Sequence, residues 1–257
     1  MSSVSSAVPR SATVPEPKGF DAFLAIAMVA VIAACARSLF FTPIDAMLGA
    51  AQKIFYVHVP AAIIGLYFAC GLLFISSIMY LWIKDERLDR LAESSAEVGL
   101  VFMGIVLVTG PVWARSSWGT WWVWDARLTS ELILFFLYLG HIALTSAIDD
   151  PRRADKAGGI LALVGALNVP IIYFSVKWWN TLHQGASVSL TKGSSMAQVM
   201  LEAMLIMGVA FWMYAVAMAL YRVRSIILVR ERHTQWVAEL PEVKAQMMKN
   251  TAGGANA

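Results

Sequence analysis

Charged residues are scarce in this chain. Lys, Arg, Asp and Glu make up 14% of its 257 residues, and hydrophobic residues make up 59%. Soluble domains usually carry about 25% charged residues, so the shortage excludes an ordinary water-soluble domain and favours lipid as the surrounding solvent. The net charge of +3 is too small to indicate a nucleic-acid-binding protein.

Cysteine is also sparse, with Cys35 and Cys70 the two residues present. Both lie in apolar runs, and no CxxC or CxxCH segment occurs. These absences exclude a cysteine redox motif and a covalent haem attachment site, and they favour two buried free thiols. The P-loop signature is absent as well, so the chain cannot drive transport with ATP by itself.

Long apolar runs dominate the chain instead. Each is close to the ~20 residues that a helix needs to cross ~30 Å of hydrocarbon, where only helices and closed barrels satisfy their own backbone. The runs are 21–40, 59–83, 97–114, 128–148, 158–176 and 197–221. They predict an all-α integral membrane protein, a bundle of six transmembrane helices.

The basic residues predict which side each loop faces. Of the twenty Lys and Arg residues, six fall in one set of loops: Arg37, Lys53, Arg115, Arg127, Lys177 and Lys192. The other fourteen fall in the N-terminal tail, 84–90, 149–157 and the segment after 221. Because positive residues stay in the cytoplasm, we expect both termini to be cytoplasmic and three loops to face outward.

Three regions follow from this division. Residues 1–18 are predicted to form a disordered cytoplasmic tail, 19–222 the six-helix membrane domain, and 223–257 a basic amphipathic cytoplasmic segment. An alternative remains open at the first helix. The sequence Ala34-Cys35-Ala36 is similar to a signal-peptide cleavage site, and cleavage there would leave five helices.

Two of the four histidines lie on the predicted outward side. His58 comes just before Pro60 at the start of the second helix, and His183 follows the fifth helix. His141 lies within the fourth helix and His233 in the basic tail. Taken singly, each outward histidine is accounted for by an ordinary interfacial contact with backbone or lipid.

The middle outward loop carries a cluster of tryptophans. Trp118, Trp121, Trp122 and Trp124 precede Asp125 and Arg127. An aromatic belt at the headgroup level is one interpretation, a helix cap accounts for Asp125, and Arg127 pairs with Glu131 four residues on or reaches the interface. The other interpretation is a flat apolar ledge for haem, with Arg127 and Arg115 on its carboxylates and the two histidines on its iron. A quinone or another flat aromatic ligand stays open.

Three blocks carry a family resemblance. They are YVHVPAA at 56–62, WGTWWVWDARLTSEL at 118–132 and WWNTLHQGAS at 178–187. The middle block resembles the tryptophan-rich "WWD" signature of haem-handling membrane proteins, and the continuation at 127–130 is similar to the CcmC branch rather than to CcmF or CcsA. The resemblance covers about residues 20 to 240.

The resemblance implies a non-enzymatic haem-transfer protein of the bacterial inner membrane. It implies haem b held non-covalently at the periplasmic face, with His58 and His183 as axial iron ligands. Its implied partners in cytochrome c maturation are the haem chaperone CcmE, the ATPase pair CcmA–CcmB and the small subunit CcmD. The implied haem-binding residues of the loop are Trp118, Trp121, Trp122, Trp124, Asp125 and Arg127.

Two other functions remain open at this point. An electron-transferring b-type cytochrome also pairs histidines, although usually within helices in the middle of the membrane. A subunit of a haem transporter would need ATP-hydrolysing partners.

Overall fold

The structure is almost wholly helical. It is a computed structural model that describes residues 18–183, 185, 188–189, 193–194, 196–231, 234, 237, 239–240 and 248. The helices are α1 (Lys18–Phe40), α2 (Phe55–Ile63), α3 (Cys70–Ile83), α4 (Glu86–Trp118), α5 (Ala126–Ala147), α6 (Pro151–Ala166), α7 (Asn168–Trp178) and α8 (Gln198–Arg230). Two two-residue strands, β1 (Val188–Ser189) and β2 (Gly193–Ser194), pair in antiparallel fashion in the connection before α8.

These elements form six membrane-spanning segments within the part of the chain that the structure describes. They are Gly19–Phe40, Ala50–Ile83, Glu86–Trp118, Ala126–Ala147, Pro151–Trp178 and Gln198–Arg230, each long and apolar enough to cross a membrane. The prediction of a six-helix membrane protein is confirmed. Most helices are longer than their apolar runs, because polar turns continue the backbone hydrogen bonding beyond the hydrophobic stretch.

The predicted terminal regions are only partly described. Residues 1–17 lie outside the described residues, as do His233 and most residues after Glu231. The last helix continues without a break to Arg230, past the predicted boundary at residue 222. The division into three regions therefore stays a prediction, and so does the cytoplasmic side of both termini.

Helix α4 is the centre of the bundle and packs against α2, α3, α5 and α8. Small side chains let these helices approach closely, as is usual between membrane helices. Buried examples are Ala61, Ala92, Ala96, Ala210 and Ala215. Larger side chains fill the remaining space, with the rings of Phe102 and Phe211 meeting edge to face at 5.4 Å.

The second span changes its helical form along its length. A 3-10 turn at Ala50–Ile54 leads into α2, and a π-helical stretch at Ile64–Ala69 joins α2 to α3. The α-helix thus begins one turn earlier than Pro60 led us to expect. Tyr138 of α5 donates its hydroxyl proton to the Gly65 carbonyl oxygen at 2.6 Å, which satisfies a backbone group within the π-helical stretch.

The fifth span is interrupted once. Its helix pauses at Leu167, between α6 and α7. Pro170 lies three residues later and cannot donate a backbone N–H to Ala166, so the α-helical pattern is broken there. The interruption separates a polar first half of the span from the half that borders the site.

Candidate functional site

A large open cleft lies at the end of the bundle where α2 and α5 begin and α7 ends. Its volume is about 1400 Å³, including space continuous with solvent. Apolar and aromatic side chains form most of its wall, with a few polar groups among them, which is typical of ligand-binding clefts. The lining residues include Phe55, Val59, Ile63, Leu66, Tyr67, Tyr173 and Met204.

His58 enters the cleft from the first turn of α2. Its Nδ1 atom lies 2.9 Å from the hydroxyl oxygen of Thr109 on α4. Gly110, the next residue of α4, lies against the same ring, because a Cβ atom there would stand 3.1 Å from His58 Cε1. Helix α4 therefore holds one edge of the imidazole, and the histidine still lines the cleft.

His183 reaches the same cleft from the connection after α7. The ring of Trp118, at the end of α4, meets the His183 ring edge to face with 6.3 Å between centroids. Thr181 donates its hydroxyl proton to the His183 carbonyl oxygen at 3.2 Å. The two histidines that are predicted to face outward, 125 positions apart in sequence, thus border one space, one from a helix and one from a loop.

Two cations also line the cleft. Arg127 is tied down: its Nε donates to Glu131 at 2.7 Å and its Nη1 donates to the Ile172 carbonyl oxygen at 3.0 Å. The predicted pair between Arg127 and Glu131 is confirmed. Lys177 instead places its Nζ atom 5.7 Å from the centre of the Tyr173 ring, and no carboxylate contacts it among the residues the structure describes.

The tryptophan-rich loop connects α4 to α5. Asp125 caps α5 by accepting a hydrogen bond from the Leu128 backbone N–H at 2.8 Å. Trp122 and Trp124 meet edge to face at 5.6 Å, and 58% of Trp121 and 75% of Trp124 are exposed. These three tryptophans and Asp125 are not among the residues that line the cleft in the described part of the chain.

Four buried polar atoms at the end of α4 and in this loop have no hydrogen-bond partner within the described part of the chain. They are Trp113 Nε1, Ser117 Oγ, Trp122 Nε1 and the second carboxylate oxygen of Asp125. Buried polar groups in folded proteins nearly always have partners. The segment from Trp113 to Asp125 therefore offers three donors and an acceptor that a water, a ligand or another protein would satisfy.

The family model that matches this sequence is described as "CcmC: Heme exporter protein C" and covers residues 6–238. The chain belongs to the CcmC family. It is 45% identical over 208 residues to "Heme exporter protein C" of Bradyrhizobium diazoefficiens, which covers 81% of this chain and 79% of that relative. It is 43% identical over 223 residues to the protein of the same name from Escherichia coli K12, covering 86% of this chain and 89% of the relative.

The predicted site residues of this CcmC-family chain divide into two groups. His58, His183 and Arg127 meet in the cleft, and Trp118 touches His183. Trp121, Trp122, Trp124 and Asp125 lie in the loop between α4 and α5 and do not line the cleft, and their part in haem binding stays a prediction. Arg115 donates to the Gly119 carbonyl oxygen, so it braces this loop.

Three residues of the site had no signal in the sequence. Thr109, which contacts His58 from α4, lies inside the third apolar run. Lys177 was assigned only to the outward set of basic residues, and Tyr67 lay inside an apolar run. None of the three has a local pattern that distinguishes a cleft residue from a lipid-facing one.

Proposed function

We propose that this chain binds haem b non-covalently at the periplasmic face of the bacterial inner membrane and presents it to the haem chaperone CcmE during cytochrome c maturation. His58 and His183 are the axial ligands of the iron. The ATPase pair CcmA–CcmB and the small subunit CcmD are the expected partners. The names of the relatives, which are haem exporters, support the general role in haem handling.

One observation carries the proposal: two imidazoles from different elements border a single apolar cleft. Imidazole is a common ligand of haem iron, and the porphyrin supplies the other four nitrogens. The residues also fit the rest of the molecule. Aromatic and aliphatic walls suit the flat macrocycle, Lys177 offers positive charge for a carboxylate, and Arg127 lies in the same wall.

The shape of the cleft supports transfer rather than permanent storage. The protein does not enclose it fully, and His183 lies in a connection that follows the last turn of α7. The loop between α4 and α5 exposes Trp121 and Trp124. An open site with one ligand on a loop, together with exposed aromatic side chains, suits a cargo that a second protein collects.

An electron-transferring b-type cytochrome is the alternative. Its support is the position of His58, which lies within α2 rather than at a loop edge. A cytochrome keeps its haem, whereas a delivery protein yields it to CcmE. Mixing the haem-loaded protein with haem-free CcmE and following the haem therefore separates the two functions.

The central experiment replaces each cleft histidine in turn with alanine. His58→Ala and His183→Ala are expected to lose most of the bound haem b and to abolish covalent haem on CcmE, because the iron loses one of its two protein ligands. His141→Gln is the matched control, since His141 lines a separate small cavity between α3, α5 and α6. Haem content is measured by the absorption spectrum of the purified protein, and CcmE loading by haem staining. An unchanged spectrum in either alanine variant would remove that histidine from the site.

A further inference from the structure

The contact between His58 and α4 determines more than the position of the ring. We propose that Thr109 is a positioning residue that holds His58 as the tautomer with its proton on Nδ1, which leaves Nε2 as the nitrogen that binds iron. This inference rests on the proposed function for its consequence in haem binding. Its physical basis, the tautomer of His58, is a property of the protein alone.

The direction of the hydrogen bonds around Thr109 follows from counting protons. The Thr109 hydroxyl has one proton, and its oxygen lies 2.7 Å from the Ile105 carbonyl oxygen one turn earlier in α4. A carbonyl can only accept, so the Thr109 proton points to Ile105. The Thr109 oxygen is then an acceptor toward His58 Nδ1 at 2.9 Å, and that nitrogen must carry the proton.

The neighbouring residue restricts the ring from a second direction. A Cβ atom on Gly110 would lie 3.1 Å from His58 Cε1 and 3.7 Å from Nδ1. The backbone of α4 therefore approaches the edge of the ring directly. Thr109 supplies the hydrogen bond and Gly110 the room for it, so two successive residues on α4 form the seat for His58.

Such a seat has a known effect on metal binding. Histidines that bind metals usually donate their other N–H to a fixed acceptor, and removing that acceptor lowers metal affinity by about 10- to 100-fold. Without Thr109, both tautomers of His58 are open and the ring turns more freely. In part of the population, the nitrogen that faces the iron would then carry the proton, and a protonated imidazole nitrogen cannot bind iron.

The test uses the full-length protein in lipid nanodiscs with ¹⁵N-labelled histidine. The four histidines are assigned by replacing each with glutamine. In the haem-free wild type, we expect the His58 signals of a single Nδ1–H tautomer. Thr109→Val keeps the side-chain shape and removes the acceptor, so it should give a mixture of tautomers and weaken haem binding about tenfold or more. Thr109→Ser should restore both properties.

Thr145→Val is the matched control. Thr145 also donates to a carbonyl one turn earlier, that of His141, at 3.0 Å, and it lies on α5 away from the cleft. If Thr109→Val does not accumulate in membranes, Thr109→Ala serves in its place, because it removes the hydroxyl without adding a methyl group. An unchanged His58 tautomer in a folded variant without the Thr109 hydroxyl overturns the inference. Failure of the wild type to bind haem would overturn the proposed function instead, and the spectrum of the haem-free protein would still test Thr109.

Discussion

At the scale of single residues, the two cations of the cleft differ in how far their charges are already engaged. Arg127 is mostly buried and bonded to Glu131 and to the Ile172 carbonyl, so its charge is largely neutralised and its role is to join α5 to α7. Lys177 lies over the faces of Tyr173 and Phe174. We therefore expect Lys177 to be the cation that meets a haem carboxylate.

Lys177→Gln should weaken haem binding by about two- to fivefold, the effect of losing a solvent-exposed ion pair of up to ~1 kcal/mol. Lys177→Arg should retain binding, and high salt should reduce the difference between wild type and the glutamine variant. Lys84→Gln is the control, since Lys84 lies 5.6 Å over the Tyr80 ring in a similar contact at the other end of the bundle. Titrating haem into the purified variants measures the affinities. Equal affinity of Lys177→Gln and wild type would exclude this contact.

The two carboxylate oxygens of Asp125 differ in their contacts. One carboxylate oxygen caps α5, and the other is buried without a hydrogen-bond partner among the residues the structure describes. Asparagine caps helices as well as aspartate does, so Asp125→Asn should leave the protein level in membranes normal. If the second oxygen accepts a hydrogen bond from CcmE, loss of its charge should lower CcmE loading.

Arg127→Lys tests the adjacent residue in the same assay. Lysine keeps the charge, but it lacks the planar fork that reaches Glu131 and the Ile172 carbonyl together. We expect reduced CcmE loading here too, measured by haem staining beside an immunoblot of this protein. Normal loading with Asp125→Asn would leave Asp125 as a helix cap and nothing more.

Residues of the candidate site could be predicted from the sequence where a local pattern marked them. His58 and His183 stood out because both fall at predicted outward helix ends, and Arg127 and Glu131 because they are four residues apart. Thr109 could not be found this way. Its partner His58 is 51 positions away, and a threonine that bonds to the preceding turn is common in any membrane helix.

At the scale of helices, the π-helical stretch of the second span is the element that shapes the cleft. Leu66 and Tyr67 lie within it and line the cleft wall. Its Gly65 carbonyl is held by Tyr138 of α5, and Gly99 of α4 leaves room for the Tyr138 ring, which a Cβ atom at Gly99 would overlap. The Tyr138 side chain of α5 therefore contacts both the π-helical stretch and α4.

Tyr138→Phe should lower the free energy of unfolding by about 1–3 kcal/mol, because it leaves a buried carbonyl without a partner. Loss of this hydrogen bond should also change the conformation of the π-helical stretch and thereby reduce haem affinity, although Tyr138 does not line the cleft. Tyr221→Phe is the control, since the Tyr221 ring is partly exposed and stacks on Phe20. Thermal unfolding in detergent and haem titration give the two quantities. A Tyr138→Phe protein that matches wild type in both would show that this hydrogen bond does not maintain the cleft.

Hydrophobic length was enough to predict the six spans, but not their internal breaks. Apolar runs reveal which segments cross the membrane, because crossing depends on length and transfer energy. The π-helical stretch depends on packing against Tyr138 and Met103, which are distant in sequence. Proline alone does not mark such breaks, because the helix is interrupted at Leu167, before Pro170, whereas α4 continues through Pro111.

At the scale of the whole molecule, the cleft and a network of ion pairs occupy opposite ends of α4. Arg230, at the end of α8, contacts Asp89 and Glu93 of α4 and Asp155 of α6 at 2.9–3.2 Å. Glu93 and Thr109 are 16 residues apart, so the network lies about 24 Å along the helix from the seat of His58. The two ends share helices but no side-chain contacts among the described residues.

This network was invisible in the sequence, where Arg230 belonged to a basic segment expected on the membrane surface. Charge counting predicted the side of the membrane on which each loop lies, a property of the whole set of loops. It could not reveal that a residue of α8 would enclose its charge among carboxylates of two other helices. That depends on helix packing, since 75 positions separate Asp155 from Arg230 and 141 separate Asp89 from it.

Arg230→Gln should lower the free energy of unfolding by about 3 kcal/mol, because it leaves three carboxylates without their shared cation, two of them buried. Arg222→Gln is the matched control. Arg222 also joins α8 to α4, through Glu97, but its side chain is 38% exposed, so we expect a loss of less than ~1 kcal/mol.

The haem spectrum of Arg230→Gln at low temperature should match that of wild type, because the cleft lies at the far end of the bundle. Urea unfolding in mixed micelles gives the stabilities, and the absorption spectrum reports the haem site. A shifted haem spectrum in the folded Arg230→Gln protein would mean that the two ends of α4 are coupled. If Arg222→Gln lowers the free energy of unfolding as much as Arg230→Gln does, burial does not distinguish the two arginines.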